Sequence, residues 1–259
     1  MPQPNDSRHG SATIDVTEFD AVVFDMDGVV TDTTAAHTAA WKEVFDEFLV
    51  RVVGPDVDRF DPVADYLEFV DGKPRYDGVR AFLASRGIML DEGRPGDPPS
   101  ADTVHSLGNR KNQSFLARLS AYGADSYPST LRLLAELRRV GISTALITSS
   151  RNASVVLQAA DVDVSFDVVI DGEVAAERGL PGKPSPAVFL AATDDLGISA
   201  VRGVVIEDAI AGVAAGRMGG FGLVIGVARH DNVTDLLNAG AHVVVDDLAA
   251  VSVVSCGSR

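Results

Sequence analysis

Apolar and β-branched residues gather into short runs at intervals along the chain. One occupies residues 21–24 and stops at Asp25-Met26-Asp27-Gly28; others fall at 143–147, 166–170, 203–206, 222–227 and 242–245. A short continuous apolar run is what a strand covered on both faces requires, and ligands of open α/β sheets bind at the carboxyl ends of such strands. Between the runs the apolar spacing turns helical, as over residues 129–140. Strands alternating with helices predict the α/β class with a doubly wound parallel sheet.

The alternation is broken once. Residues 34–126 contain amphipathic helical pieces and few β-branched runs, which predicts an inserted helical domain. Within it, Gly93-Arg94-Pro95-Gly96-Asp97-Pro98-Pro99-Ser100 is the kind of Pro/Gly loop that ends one helix and re-aims the chain before the next. The α/β core is then expected over 19–33 and 127–251. Residues 1–18 and 252–259 offer little to bury and are expected as flexible tails.

Composition narrows the function classes. Among 259 residues, 46% are hydrophobic and 23% charged, ordinary usage for a folded protein. A formal net charge of -15 repels nucleic acid and anionic membranes, so neither is expected as a partner, and an anionic substrate needs a local basic pocket. The single cysteine, Cys256, rules out an intrachain disulfide; residues 1–18 lack the basic-then-apolar pattern of a secretory signal, and no apolar run reaches the length of about 18 residues that suggests a membrane span. A cytoplasmic location follows as the default expectation.

Four segments carry candidate chemistry. At the end of the first apolar run, Asp25 and Asp27 stand two residues apart. One carboxylate can attack phosphorus as a nucleophile while the other moves protons, and Gly28 permits a tight turn beside them; an Asp-rich surface turn is the structural alternative. After the run at 143–147 comes Thr148-Ser149-Ser150-Arg151-Asn152, whose hydroxyls and backbone N–H groups can hold phosphoryl oxygens or simply cap a helix, with Asn152 as a candidate cap. Lys183, in Gly182-Lys183-Pro184-Ser185-Pro186, can neutralise Asp25 and a transferring phosphoryl group, or be a solvated loop lysine. Glu207 and Asp208 end the run at 203–206. They can supply hard oxygen ligands to Mg²⁺ together with Asp25 and the backbone carbonyl of Asp27, or serve as first-turn acids of a helix.

In this order the four segments resemble the four motifs of the haloacid dehalogenase superfamily, over essentially the whole of residues 19–247. The resemblance implies a Rossmannoid core with a helical type 1 cap, Mg²⁺, a phosphorylated Asp25, and Asp27 as general acid and base of the phosphotransferase branch. Within the superfamily, Phe24-Asp25-Met26-Asp27-Gly28-Val29-Val30-Thr31-Asp32-Thr33 and its continuation to Lys42 are most similar to the β-phosphoglucomutase family. That likeness implies that Thr33 and His37 couple cap closure to the general acid and that Trp41 lines a sugar site. It also makes Arg75 and Lys111 the cap cations toward the distal phosphate, with Ser149, Ser150, Arg151 and Asn152 on the phosphoryl group. Lys73, Arg80 and Arg110 compete for the cap roles. The family's Ser-Ala-Ser-Lys-Asn stands here as Thr148-Ser149-Ser150-Arg151-Asn152, and its Ser-Gln after the fourth motif as Ala209-Ile210.

The activity so implied interconverts β-D-glucose 1-phosphate and glucose 6-phosphate, with β-glucose 1,6-bisphosphate as activating phosphoryl donor and a small sugar phosphate as the only partner of an expected monomer. A Mg²⁺-dependent sugar-phosphate phosphatase is the alternative on the same residues, and a non-catalytic sugar-phosphate sensor is a third reading.

Overall fold

The computed structural model describes residues 8–229 and 231–255. The segments 1–7 and 256–259, parts of the two expected tails, and Cys256 with them, lie outside the described residues.

The chain opens with β1 (Ala12–Asp15), β2 (Ala21–Asp25) and β3 (Thr31–Asp32), continues through α1 (Thr34–Val52), α2 (Arg75–Ser85) and α3 (Val104–Tyr122), and returns through β4 (Asp125–Ser126). Alternation then resumes: α4 (Pro128–Val140), β5 (Ser143–Ile147), α5 (Ala153–Ala159), β6 (Val168–Ile170), α6 (Gly172–Glu177), α7 (Ala187–Leu196), β7 (Gly203–Glu207), α8 (Ile210–Met218), β8 (Leu223–Val227), α9 (Val233–Ala239), β9 (Val243–Val245) and β10 (Val251–Val254). Six strands form one sheet in the order β6-β5-β2-β7-β8-β9, every neighbouring pair parallel. This is the doubly wound α/β architecture that the alternation predicts. All five residues of β2 are buried, which is why its sequence is a continuous apolar run rather than an alternating one. The strand order reverses between β2 and β7, so the crevice of an open α/β sheet falls at their carboxyl ends.

Two compact units share the chain: Met1–Asp32 with Ser126–Arg259, and Thr33–Asp125. The first is built on the sheet, with Val23, Ala145, Ile147, Val205, Phe189 and Val244 in its core. The second is helical. α1 and α2 both pack on α3 around Phe45, Phe60 and Phe82, with the Phe45 and Phe82 rings 4.1 Å apart. A single π-helical turn, Tyr66–Val70, precedes α2, a feature that the hydrophobic spacing does not announce.

The expected tails need correction. β1 and β10 pair in parallel, Ala12 opposite Val251 and Asp15 opposite Val254, and Gly10 donates its N–H to the carbonyl of Val244 on β9 at 2.9 Å. Local composition concealed this because the two strands are over 230 residues apart, and each buries only one or two side chains. The period-two signal was nevertheless there, in Ala12-Thr13-Ile14-Asp15, where Ala12 and Ile14 are buried.

Among the described residues no helix is long and apolar enough to cross a membrane. A flexible tail would tolerate Ile14→Ala within about 0.5 kcal/mol, as surface substitutions usually do. Because Ile14 is fully buried, urea unfolding is expected instead to show a loss of about 2–4 kcal/mol.

Candidate active site

Three strand ends set out the core of the site. Asp25 is the last residue of β2 and stands opposite Ile147 of β5, so Thr148 emerges beside it. On the other flank Phe24 is level with Ile206 of β7, which brings Glu207 next to Asp25. The chain then turns back on itself: the Met26 carbonyl accepts from the N–H groups of Val30 at 2.8 Å and Thr31 at 2.9 Å, and Gly28 donates to the Thr31 carbonyl at 2.8 Å. Gly28 has φ +83°, and a Cβ there would overlap the Asp208 carboxylate, so both conformation and space demand glycine.

Lys183 arrives from the loop between α6 and α7, its peptide to Pro184 cis. Its ammonium donates to Asp25 Oδ1 and to Glu207 Oε1, and its side chain is only 2% exposed. Glu207 is fully buried, and its other oxygen accepts from the Ala209 N–H at 2.8 Å. Gly212 leaves it room, because a Cβ at that position would overlap the carboxylate. Both Glu207 oxygens are thus engaged by Lys183 and the backbone.

Burial pushes the Asp25 carboxyl well above its ordinary value; Lys183 pulls it back, while Glu207 and Asp27 add to the rise. For Lys183 burial disfavours the ammonium, but the charges of Asp25 and Glu207 and their hydrogen bonds outweigh it and hold the lysine above its ordinary value. Lys183 is therefore the charged member of the cluster, since its ammonium donates to two carboxylates at once.

Thr148 is buried, but its hydroxyl donates to Asp27 Oδ2 at 3.2 Å and accepts from the Ser150 N–H at 3.0 Å. The sequence points it at a phosphoryl oxygen; the structure points it at Asp27. Asn152 occupies the N-cap position of α5 without a side-chain capping bond, its N–H donating to Ser150 Oγ at 3.2 Å. Arg151 is exposed, and Ser149 and Ser150 are half-buried on the same loop.

The helical unit gathers a second set. His37 and Trp41 share one face of α1, and Lys111 of α3 reaches them: its Nζ donates to His37 Nδ1 at 2.6 Å and lies 4.9 Å from the Trp41 ring centroid and 5.0 Å from that of Phe115. An ammonium has no lone pair, so Nδ1 accepts and the imidazole proton resides on Nε2. Thr33, buried, is the N-cap residue of the same α1 helix. Arg75 Nη2 donates to Asn112 Oδ1 at 2.7 Å, one residue from Lys111. The competitors are engaged elsewhere: Arg110 with Glu47, Arg80 with Asp77 and Glu92, and Lys73 with the Glu68 carbonyl.

A family described as haloacid dehalogenase-like hydrolase matches residues 19–220. The chain belongs to that family. It is 43% identical over 235 residues to a protein from Mycobacterium tuberculosis (strain CDC 1551 / Oshkosh) named beta-phosphoglucomutase, covering 88% of this chain and 90% of that one. Over 245 residues it is 41% identical to a longer M. tuberculosis protein named as an uncharacterized glycosyl hydrolase, covering 94% of this chain and 18% of the other. The fold is also that of the crystal structure of beta-phosphoglucomutase from Clostridium difficile, with a TM-score of 0.69 and 24% identity over 89% of this chain and 92% of that one.

For a haloacid dehalogenase-like protein the arrangement offers a metal site. Among the described residues Asp25, Glu207 and Asp208 place one carboxylate oxygen each within 4.8 Å of one another. The donors are hard oxygens, and the three carboxylates outnumber the one ammonium of Lys183, which Asp25 and Glu207 hold, so a small divalent cation fits by chemistry and by charge.

Two further residues belong to this neighbourhood and escaped sequence reasoning. Arg229 donates from Nε to the Gly28 carbonyl at 2.6 Å, and its guanidinium lies 3.6 Å from the Tyr127 ring centroid. A cation two residues beyond an apolar parallel strand was the available signal.

Replacing Lys183 by Met leaves two buried carboxylates without their cation. The loss is expected to be about 3–5 kcal/mol at pH 7. In the variant the Asp25 carboxyl, pushed up by burial and no longer pulled back by Lys183, lies above its unfolded value of about 4, so stability falls as pH rises above 4 and the gap to wild type narrows toward pH 4. Wild type keeps its Lys183 contribution over that whole range, because a raised lysine loses its proton only at much higher pH. Denaturant unfolding at several pH values measures both curves.

Proposed function

We propose that the protein is a β-phosphoglucomutase, converting β-D-glucose 1-phosphate to glucose 6-phosphate through β-glucose 1,6-bisphosphate. The observation that carries the reading is the pairing of Asp25, gripped by Lys183, with Asp27, oriented by the Thr148 hydroxyl. One carboxylate is tied to a cation and the other is left to move a proton, which is the division of labour a two-step phosphoryl transfer needs. The beta-phosphoglucomutase relative at 43% identity supports the choice of sugar phosphate, and the longer glycosyl hydrolase relative supports a carbohydrate setting.

In the first step phospho-Asp25 gives its phosphoryl group to the C6 hydroxyl of β-glucose 1-phosphate while Asp27 takes the hydroxyl proton. Asp25 is released as a carboxylate and the bisphosphate forms. After the sugar binds again in the opposite sense, Asp25 attacks the phosphorus at C1 and Asp27 returns its proton to the leaving C1 oxygen. Glucose 6-phosphate departs and phospho-Asp25 is regenerated. Lys183 balances charge on Asp25 and on the transferring group throughout. Mg²⁺, held by Asp25, Asp208 and the Asp27 carbonyl, supplies charge neutralisation of the phosphoryl oxygens when bound. Glu207 is assigned first to Lys183, and the lone pairs left on its oxygens keep it a candidate beside Asp25 and Asp208 for the metal.

Recognition of the sugar and of the phosphate that does not react is assigned to His37, Trp41, Arg75 and Lys111 of the helical unit. Arg75 offers the planar fork that suits a phosphate. Lys111, tied to His37, is better placed to set the imidazole tautomer than to clamp a distant phosphate. Thr33, Ser149, Ser150, Arg151 and Asn152 are the remaining candidates for phosphate contact.

The family's description as hydrolases favours one second reading, a sugar-phosphate phosphatase in which water takes the group from phospho-Asp25. One assay separates the two. With β-glucose 1-phosphate, Mg²⁺ and catalytic β-glucose 1,6-bisphosphate, glucose 6-phosphate is expected to exceed free phosphate by far; phosphate release alone selects the hydrolase. Asp25→Asn and removal of Mg²⁺ by chelation are each expected to cut turnover by at least about 10³-fold. Full turnover by Asp25→Asn would sink covalent catalysis at that residue, and no turnover of sugar phosphates by the wild-type protein would return the sensor.

A further inference from the structure

Arg229 takes no part in the chemistry above, yet its contacts converge on the turn that carries Asp27. Its side chain is 13% exposed, and its ion pair with Asp247 is loose, with Nη1 3.7 Å from Oδ2 and Asp247 itself 47% exposed. Nη2 is buried and makes no hydrogen bond among the described residues. A guanidinium buried at that cost is not explained by a long, half-solvated ion pair. Two contacts have good geometry: the bond from Nε to the Gly28 carbonyl at 2.6 Å, and the stack 3.6 Å from the Tyr127 ring centroid. Tyr127 is itself anchored, hydrogen-bonded to Asp32, and its hydroxyl is pushed up to about 12, by burial first and by Asp32 and Asp208 further, against the opposing pull of Arg229.

Gly28 is the hinge between the two acidic segments. Its N–H is held by the Thr31 carbonyl, and its Cα packs against the Asp208 carboxylate so closely that no Cβ fits. The Met26 carbonyl holds the turn from inside through the N–H groups of Val30 and Thr31. Arg229 holds it from the other side, through the Gly28 carbonyl.

We propose that Arg229 is a positioning residue for the cation site, fixing the Gly28–Val29 peptide against the Tyr127 platform and so setting the spacing of Asp27 and Asp208. The inference rests on the reading of Asp25, Asp27 and Asp208 as metal-holding groups. Partners of this kind, one bond removed from a ligand, typically change metal affinity or activity by about 10–100-fold.

The test is Mn²⁺ binding to the full chain, followed by electron paramagnetic resonance without substrate, alongside kcat and KM in the sugar-phosphate assay. Arg229→Gln is expected to weaken Mn²⁺ binding about 10-fold and lower kcat with KM unchanged. Arg229→Lys, which can still donate to the Gly28 carbonyl, recovers most of the affinity. Asp247→Asn leaves the Gly28 contact in place and keeps Mn²⁺ affinity within about twofold of wild type. Should Arg229→Gln not fold, Tyr127→Leu removes the platform and keeps the guanidinium, and an intermediate loss of affinity is expected. Wild-type affinity in Arg229→Gln, or in Tyr127→Leu if that variant must stand in, overturns the proposal, as does an Asp247→Asn variant that reproduces the loss. Wild-type protein that takes up no Mn²⁺ would instead overturn the metal reading itself, and this inference with it.

Discussion

A buried lysine between two buried carboxylates sets the terms for the catalytic end of this sheet. Lys183, Asp25 and Glu207 are all nearly or wholly withdrawn from water, and removing Lys183 leaves two uncompensated carboxylates in a medium that solvates charge poorly. The trio can exist only where strand ends deliver the acids side by side, and parallel β2 and β7 do that at the point where strand order reverses. The loop carrying Lys183 enters from a third element, so the ion cluster ties together parts of the chain 158 and 24 residues apart.

That cluster dictates its surroundings. Gly28 and Gly212 are where they are because carboxylates fill the volume that a side chain would need: Asp208 against the first and Glu207 against the second. In each case the acid and the glycine opposite it form one packing unit. The same crowding gathers Asp25, Glu207 and Asp208 beside a single ammonium, that of Lys183, which is the electrostatic basis for a cation site there.

The helical unit solves the burial of a lysine differently. Lys111 is 5% exposed; it rests on the faces of Trp41 and Phe115 and donates to the His37 imidazole. Ring quadrupoles contribute to stabilising the ammonium there, where Lys183 relies on carboxylates.

The sequence by itself determined the sheet and the acids on it. The apolar runs that become β2, β5, β7 and β8 were legible because a strand buried on both faces must be continuously apolar, and Asp25, Asp27, Glu207 and Asp208 were legible because they end such runs and stand in four segments whose order resembles one superfamily's motifs. The spacing could not show which oxygen meets which donor. That Glu207 serves Lys183, that the Thr148 hydroxyl turns to Asp27, and that Arg229 braces Gly28 follow from side-chain directions and from strand neighbours far apart in sequence. The pairing of β1 with β10 was hidden for the same reason, because a four-residue strand with a partner at the other end of the chain leaves too little local signal. Local pattern reports what each segment buries; only the assembled sheet decides what it is buried against.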